Sequence, residues 1–250
     1  MSVKILKIEN QATGSFAGGA ILENKPIGFP QDGGTQSPYS NLFYWANAWS
    51  DNGGLIDEHP HKMFEIMSFV IEGEIQHYDS KFDRWLSLKK GDAQIIRSGN
   101  GITHAERLME GGRMFQIWFD PNIKKTMLQE ATYDDYKSDD MKYYEENGIS
   151  YKDYIGNGGP IQMDSEGIDI NEISIPKGNH HFGLDETKIH SYYLLEGEAS
   201  IEGKGLLEHD FVIVENEKEL NIVVNKDVLF FKVSVPQQLS YKTYLELVKN

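Results

Sequence analysis

No cysteine occurs in the 250-residue chain, so neither a disulfide framework nor thiol chemistry is available to it. Basic residues are scarce as well: 24 Lys and Arg stand against 39 Asp and Glu, a net charge of −15. A surface of that sign repels nucleic-acid phosphates and anionic lipid headgroups at long range, which excludes nucleic acid and membrane as expected partners. There is no apolar run long enough to span a bilayer, and no basic N-terminal region followed by an apolar core. The expected location is cytoplasmic.

What is present is a rhythm of short strands. Val3 to Ile8 alternates apolar and charged residues and reads as an opening strand. Gly14 to Gly34 is glycine-rich and reads as loop with at most one short strand, and Asn41 to Trp49 is an aromatic-rich strand. Further strands are expected at Ile66 to Ile71, Ile75 to Tyr78, Trp85 to Leu88, Ala93 to Ile96 and Met114 to Phe119, with glycine turns between them. Such spacing predicts a closed or two-layered all-β fold.

The second half echoes the first. Phe69-Val70-Ile71-Glu72-Gly73-Glu74 recurs as Tyr193-Leu194-Leu195-Glu196-Gly197-Glu198, and Lys90-Gly91-Asp92 finds a counterpart in Glu208-His209-Asp210. Two copies of one β module are therefore expected. The predicted boundaries are residues 1–135 for the first domain, 136–160 for an acidic, tyrosine-rich connection laid over the surface, and 161–250 for the second domain. A terminal helix is expected within Ser240 to Lys249, where Tyr241, Tyr244, Leu245 and Val248 fall at helical spacing.

Chemistry concentrates between His59 and Glu106. His59 and His61 flank Pro60, and His104 and Glu106 flank Ala105. On an extended strand residues i and i+2 share a face, so each pair can aim two donor atoms at one point. Three imidazoles and one carboxylate suit zinc, iron, copper, manganese or nickel; a tetrahedral set would be closed, an octahedral one would leave two positions open. Glu65 has the parity of His59 and His61 and is a rival carboxylate, read as supporting the ligands or facing substrate. His77 reads as a half-exposed strand residue, and His190 and His209 as isolated surface residues. His180 and His181 are adjacent, point to opposite faces and cannot chelate together. The second module is thus expected to bind no metal.

His59-Pro60-His61-Lys62-Met63-Phe64-Glu65, Glu72-Gly73, Gly91-Asp92 and Gly99-Asn100-Gly101-Ile102-Thr103-His104-Ala105-Glu106 together resemble the signature of the pirin family. The resemblance implies a bicupin, two tandem jelly-roll β-barrels with one metal, commonly Fe2+, held in the first through His59, His61, His104 and Glu106. It favours Glu106 over Glu65 as the carboxylate ligand, and places Met63 where many members carry glycine. It further implies a quercetin 2,3-dioxygenase-like enzyme acting with O2 on quercetin or a similar flavonol or enolate. In that reading Glu106 or a nearby carboxylate accepts the substrate's proton, and Met63, Phe69 and Phe115 line the cavity. The alternative implied is a non-enzymatic, metal-redox-dependent regulator that binds a protein partner; a third is a cupin isomerase or small-molecule binder with structural zinc.

Overall fold

Burial along the strand Glu74–Asp79 alternates strictly: Ile75, His77 and Asp79 are buried while Glu74, Gln76 and Tyr78 are half-buried. Glu65–Glu72 is buried along most of its length, as a central strand covered on both faces must be. These two patterns recur throughout the computed structural model of the protein, which describes residues 2–249 and is almost entirely strand, with two short α-helices. The strands form two compact units.

The first unit comprises Gln11–Asp140, Met163–Ser165 and Leu239–Asn250. It holds a four-stranded sheet in the order Gly54–His61, Ile102–Leu108, Glu74–Asp79, Arg84–Lys89. Its second sheet has seven strands, in the order Thr132–Tyr136, Ala93–Arg97, Glu65–Glu72, Gly112–Phe119, Leu42–Ser50, Ile21–Ile27, Ala12–Phe16. Apolar side chains fill the interior, among them Tyr44, Ile66, Ile96 and Ile102 in one cluster and Ile75, Leu88, Leu108 and Met114 in another.

The second unit comprises Met1–Asn10, Met141–Gln162 and Glu166–Gln238 and carries one nine-stranded sheet. Two of its strands, Lys188–Ile201 and Glu219–Pro236, are long enough to serve both layers of a barrel, and they bend where the ladder register shifts between Leu194 and Ala199. Gly197 stands in that bend at φ +94°, where a Cβ would lie 2.1 Å from the Asp227 carbonyl oxygen. Its counterpart Gly73 is at φ +66°, with 3.0 Å from such a Cβ to the Gly111 carbonyl. The repeated Glu-Gly-Glu is therefore a backbone requirement in both units.

The all-β, two-barrel class with a short C-terminal helix is as the sequence predicts, but the ends of the chain are not where it placed them. Ser2–Leu6 was expected in the first domain; it pairs with Phe211–Glu215, Val3 and Ile5 join the second unit's core, and Lys7 pairs with Asp210 at 2.7 Å. The terminal helix, Tyr244–Val248, groups with the first unit. There Tyr244 contacts Phe43 and Phe64, with ring centroids 5.9 and 5.5 Å apart, and the Tyr241 hydroxyl donates to the Asp120 carbonyl. The stretch read as a surface connection, 136–160, instead contributes the paired strands Lys142–Glu146 and Ile149–Ile155. Its tyrosines supply the reason: Tyr154 is buried and Tyr144 stacks on Tyr151 across the pair. The glycine-rich stretch after Gly14 is likewise a hairpin, Ala12–Phe16 against Ile21–Ile27.

Candidate metal centre

The four-stranded sheet brings the two motif pairs together. Gly54–His61 and Ile102–Leu108 are antiparallel neighbours, with His59 opposite His104 and His61 opposite Ile102. A register shift between His104 and Glu106 turns the strand locally. Donor atoms of His59, His61 and His104 lie within 4.8 Å of one another; Glu106 falls in a second, overlapping group with His104 and His77.

The His59 and His104 Nε2 atoms are 3.0 Å apart. Two nitrogens each about 2.1 Å from one ion and at right angles would be separated by about that distance. His59 Nδ1 donates to the Asp57 carbonyl at 2.7 Å, which leaves Nε2 with its lone pair. His61 Nε2 and His104 Nδ1 are buried without a hydrogen-bond partner. Burial, reinforced by the neighbouring rings of His104 and His59, pushes the His61 imidazole down to about 3. Burial and the His59 and His77 rings also hold His104 well below its ordinary value. Three imidazoles converging in one cup, two of them held neutral by burial, are a donor set that fits a divalent transition metal.

A hydrogen-bond chain backs the cup, and its donor directions are consistent throughout. His77 Nε2 donates to Asp79 Oδ2 at 3.3 Å, and Gln94 Nε2 donates to His77 Nδ1 at 3.4 Å and to Ser68 Oγ at 3.1 Å. Ser68 donates to Glu106 Oε1 at 3.2 Å, and Gln116 Nε2 donates to Glu106 Oε2 at 2.6 Å. Trp118 Nε1 donates to Gln116 Oε1 at 3.1 Å, and the Trp118 ring meets His61 edge-on at 4.8 Å. Burial works against the charge of Asp79, but hydrogen bonds from His77 and from the Phe82 and Lys81 backbone outweigh it and hold the carboxyl below its ordinary value. Ser68, Gln94, Gln116 and Trp118 come from the seven-stranded sheet, so the chain ties the cup to the opposite wall of its own barrel.

Several side chains differ from the sequence reading. His77 is fully buried, stacked on Tyr133 at 4.5 Å, with both ring nitrogens engaged; the Ile75-His77-Asp79 parity places it inside. It supports the cup, and its proximity to His104 does not free it to ligate. Glu65 has the opposite parity to Ser68 and so points away from the cup; its two oxygens accept the backbone N–H groups of Asp164 and Ser165, both at 2.7 Å. Phe69 shares that parity, and Phe115 lies opposite it in the ladder as Gln116 lies opposite Ser68. Neither phenylalanine lines the cup; each points to the outer side of the sheet, where Phe115 meets Trp45 at 5.5 Å. The walls are instead aromatic residues of the inner parity: Trp118, Tyr44, Phe64 and Phe29, joined by Met63. Met63 has φ +78°, a conformation in which glycine is unstrained. In the second unit His190 is buried rather than exposed, held by Ser234 Oγ at 2.8 Å and the Asp185 carbonyl at 3.0 Å.

Period-2 parity counted from Glu106 and from Ser68 would have found the inward face of each strand. It could not have shown which of those inward polar groups meet across the barrel.

Residues 39–119 match the family model described as Pirin. Pirin-1 of Arabidopsis thaliana is 28% identical over 152 residues, 58% of this chain and 52% of that protein. Pirin-like protein 2 of the same plant is 32% identical over 42% of this chain and 32% of its own length. The chain thus spans about half the length, or less, of these curated relatives. A bacterial pirin from Escherichia coli, solved in complex with nickel(II), superposes with a TM-score of 0.75 at 17% identity, over 95% of this chain and 100% of that one. Quercetin 2,3-dioxygenase from Acinetobacter baumannii superposes with a TM-score of 0.80 at 15% identity, over 99% and 86%. The likeness in structure is one of fold, and the resemblance carried by the His-Pro-His and His-Ala-Glu motifs is borne out.

Proposed function

We propose that this pirin-like double cupin is a metal-dependent dioxygenase that opens quercetin or a similar flavonol or enolate, with His59, His61, His104 and Glu106 as the ligands. The observation that carries the reading is the convergence of three imidazoles, with His61 Nε2 buried and unpartnered, in a barrel whose walls there are aromatic. The names of the Escherichia coli and Acinetobacter structures support it, the one carrying nickel(II) and the other the dioxygenase name. Iron(II) is the first candidate; copper, manganese, nickel and zinc suit the same donors.

A divalent ion bound there would act as a Lewis acid toward the flavonol 3-hydroxyl and bring it to the anionic state in which it reacts with O2. The chain's own groups do the rest. His59, His61 and His104 fix the approach side, His59 through its bond to the Asp57 carbonyl. Glu106 is held at both oxygens by Ser68 and Gln116, an acceptor placed to take the hydroxyl proton while contributing the fourth donor. Tyr44, Phe64 and Trp118 offer ring faces to a planar substrate and exclude water from the enolate.

The test is turnover of quercetin in air by protein loaded in turn with iron, copper, manganese and nickel, with headspace carbon monoxide measured. His61→Ala should abolish both metal content and turnover, while His181→Ala, at an exposed position, should change neither. Absence of turnover with all four metals in protein shown to hold them rejects the enzyme.

A further inference from the structure

The second barrel repeats the pairing of the first, so its registers carry the cup across position by position. Matching Glu72-Gly73-Glu74 to Glu196-Gly197-Glu198 sets Ala199 in the place of Ile75. Ile75 lies opposite Leu108, and Ala199 opposite Val224, so Ile222 stands for Glu106 and Leu220 for His104. Phe182, opposite Leu220, stands for His59, and Leu184, whose N–H donates to the Lys218 carbonyl, stands for His61. Every ligand position has become apolar, and these side chains belong to the barrel's core or pack against it. The second barrel thus carries an apolar side chain at each of the four matching positions.

One polar position has changed differently. Gln116 lies opposite Ser68 in the first barrel; by the same matching Lys232, opposite Tyr192, takes its place. The group that steadies Glu106 in one barrel is thus an ammonium in the other. Lys232 lines a cavity of about 300 Å³ together with Phe182, Leu184, Ile222, Tyr192 and Asn171. Its Nζ lies 5.5 Å from the Tyr192 ring centroid and, among the described residues, makes no hydrogen bond or ion pair. The nearby carboxylates are engaged elsewhere: Asp169 pairs with Lys188, and Asp153 accepts from Asn157 and Asn171. Asn171, the neighbour of Lys232 on the other side, has its Oδ1 buried without a partner. A half-buried cation on the cavity wall and a buried acceptor beside it, neither satisfied by the chain, describe what a ligand must supply.

We infer that the second barrel is a separate ligand site for a small hydroxy acid. Lys232 holds the carboxylate, the adjacent hydroxyl donates to Asn171 Oδ1, and an apolar body lies against Phe182, Leu184 and Ile222. Burial lowers the Lys232 amine to about 8, with Asp169 and Asp153 raising it and Lys188 lowering it, so the ammonium still predominates at neutral pH. A single ammonium beside Asp153 and Asp169 favours a monoanion over a phosphate dianion. The cavity sits at the small end of ligand pockets, which suits an acid with one ring or a short branched chain.

Mandelate is a suitable probe, with phenylacetate as its match lacking the hydroxyl. Titrated into the metal-loaded protein by calorimetry, mandelate should saturate, and phenylacetate should bind at least threefold more weakly. Lys232→Met should weaken mandelate at least tenfold, and Lys232→Arg, which keeps the charge, by less than about fivefold. Leu184→Trp, which fills the cavity and leaves the cation, should also weaken it at least tenfold. An unchanged metal content in the first barrel serves as the check that each variant is folded. Mandelate binding that stays within twofold in both Lys232→Met and Leu184→Trp, or that disappears with His61→Ala, overturns the assignment.

Discussion

The two barrels share a strand pairing and differ in what they place inside it. The first keeps His59, His61, His104 and Glu106 at the cup and supports the carboxylate with Ser68 and Gln116. The second puts Phe182, Leu184, Leu220 and Ile222 at the matching places and a lysine where the glutamine stands. A β-barrel interior tolerates either solution, because the backbone satisfies its own hydrogen bonds and leaves the inward side chains to be chosen. The difference teaches that the inward donor residues are a detachable part of the architecture, whereas the turns and bends are not.

The largest effect that would sharpen the contrast is loss of the metal. His104→Ala should reduce bound metal, measured by elemental analysis, by more than about a hundredfold in affinity, since a ligand and the centre of the cup go together. Lys232→Met should leave that content unchanged; a fall there would mean that the barrels do not divide the work.

The shared backbone comes next. Gly197→Ala forces a side chain into left-handed backbone and against the Asp227 carbonyl, and should destabilise the protein by about 3 kcal/mol in denaturant unfolding. Gly73→Ala, where the close approach is looser, should cost about 2 kcal/mol. Equal losses would show that the two bends are under the same constraint.

Asp120, where the first barrel receives the terminal helix, gives a pH test. Burial raises its carboxyl to about 7, against the hydrogen bond from the Tyr244 N–H, which lowers it. A carboxyl whose folded value is raised contributes stability that is fully present below its unfolded value and is lost as pH rises through the folded one. Stability should therefore fall by about 4 kcal/mol between pH 4 and pH 8 from this group, and Asp120→Asn should flatten that part of the profile.

The smallest effect concerns the supporting residue. Gln116→Leu removes the donor to Glu106 Oε2 and should lower metal affinity about tenfold without changing the ligand count. An affinity within twofold of the parent would show that Ser68 alone positions the carboxylate.

Much of this was legible in residue spacing. His-Pro-His and His-Ala-Glu each place two donors on one face of a strand, and the Glu-Gly-Glu echo announced a second module; both follow from the period of two and from a turn that needs glycine. Parity misplaced Glu65, and the apolar character of Phe69 and Phe115 misplaced them as cavity walls: a central strand buried on both faces gives no sign of which face holds the cup. Only the partner strand decides that, as Ser68 against Glu106 shows.

Local sequence by itself determined the strands, their turns and the donor set, because these depend on neighbours within a few residues. Tertiary structure alone decided which unit receives the opening strand and the terminal helix, that His77 is buried behind the cup, and that Lys232 stands opposite Asn171, whose Oδ1 is buried without a partner. Those outcomes rest on pairings between residues far apart in the chain, and hydrophobic periodicity carries no record of the partner. The stretch from His59 to Glu106 supplies the donors, and the opposite sheet gives them a fixed geometry.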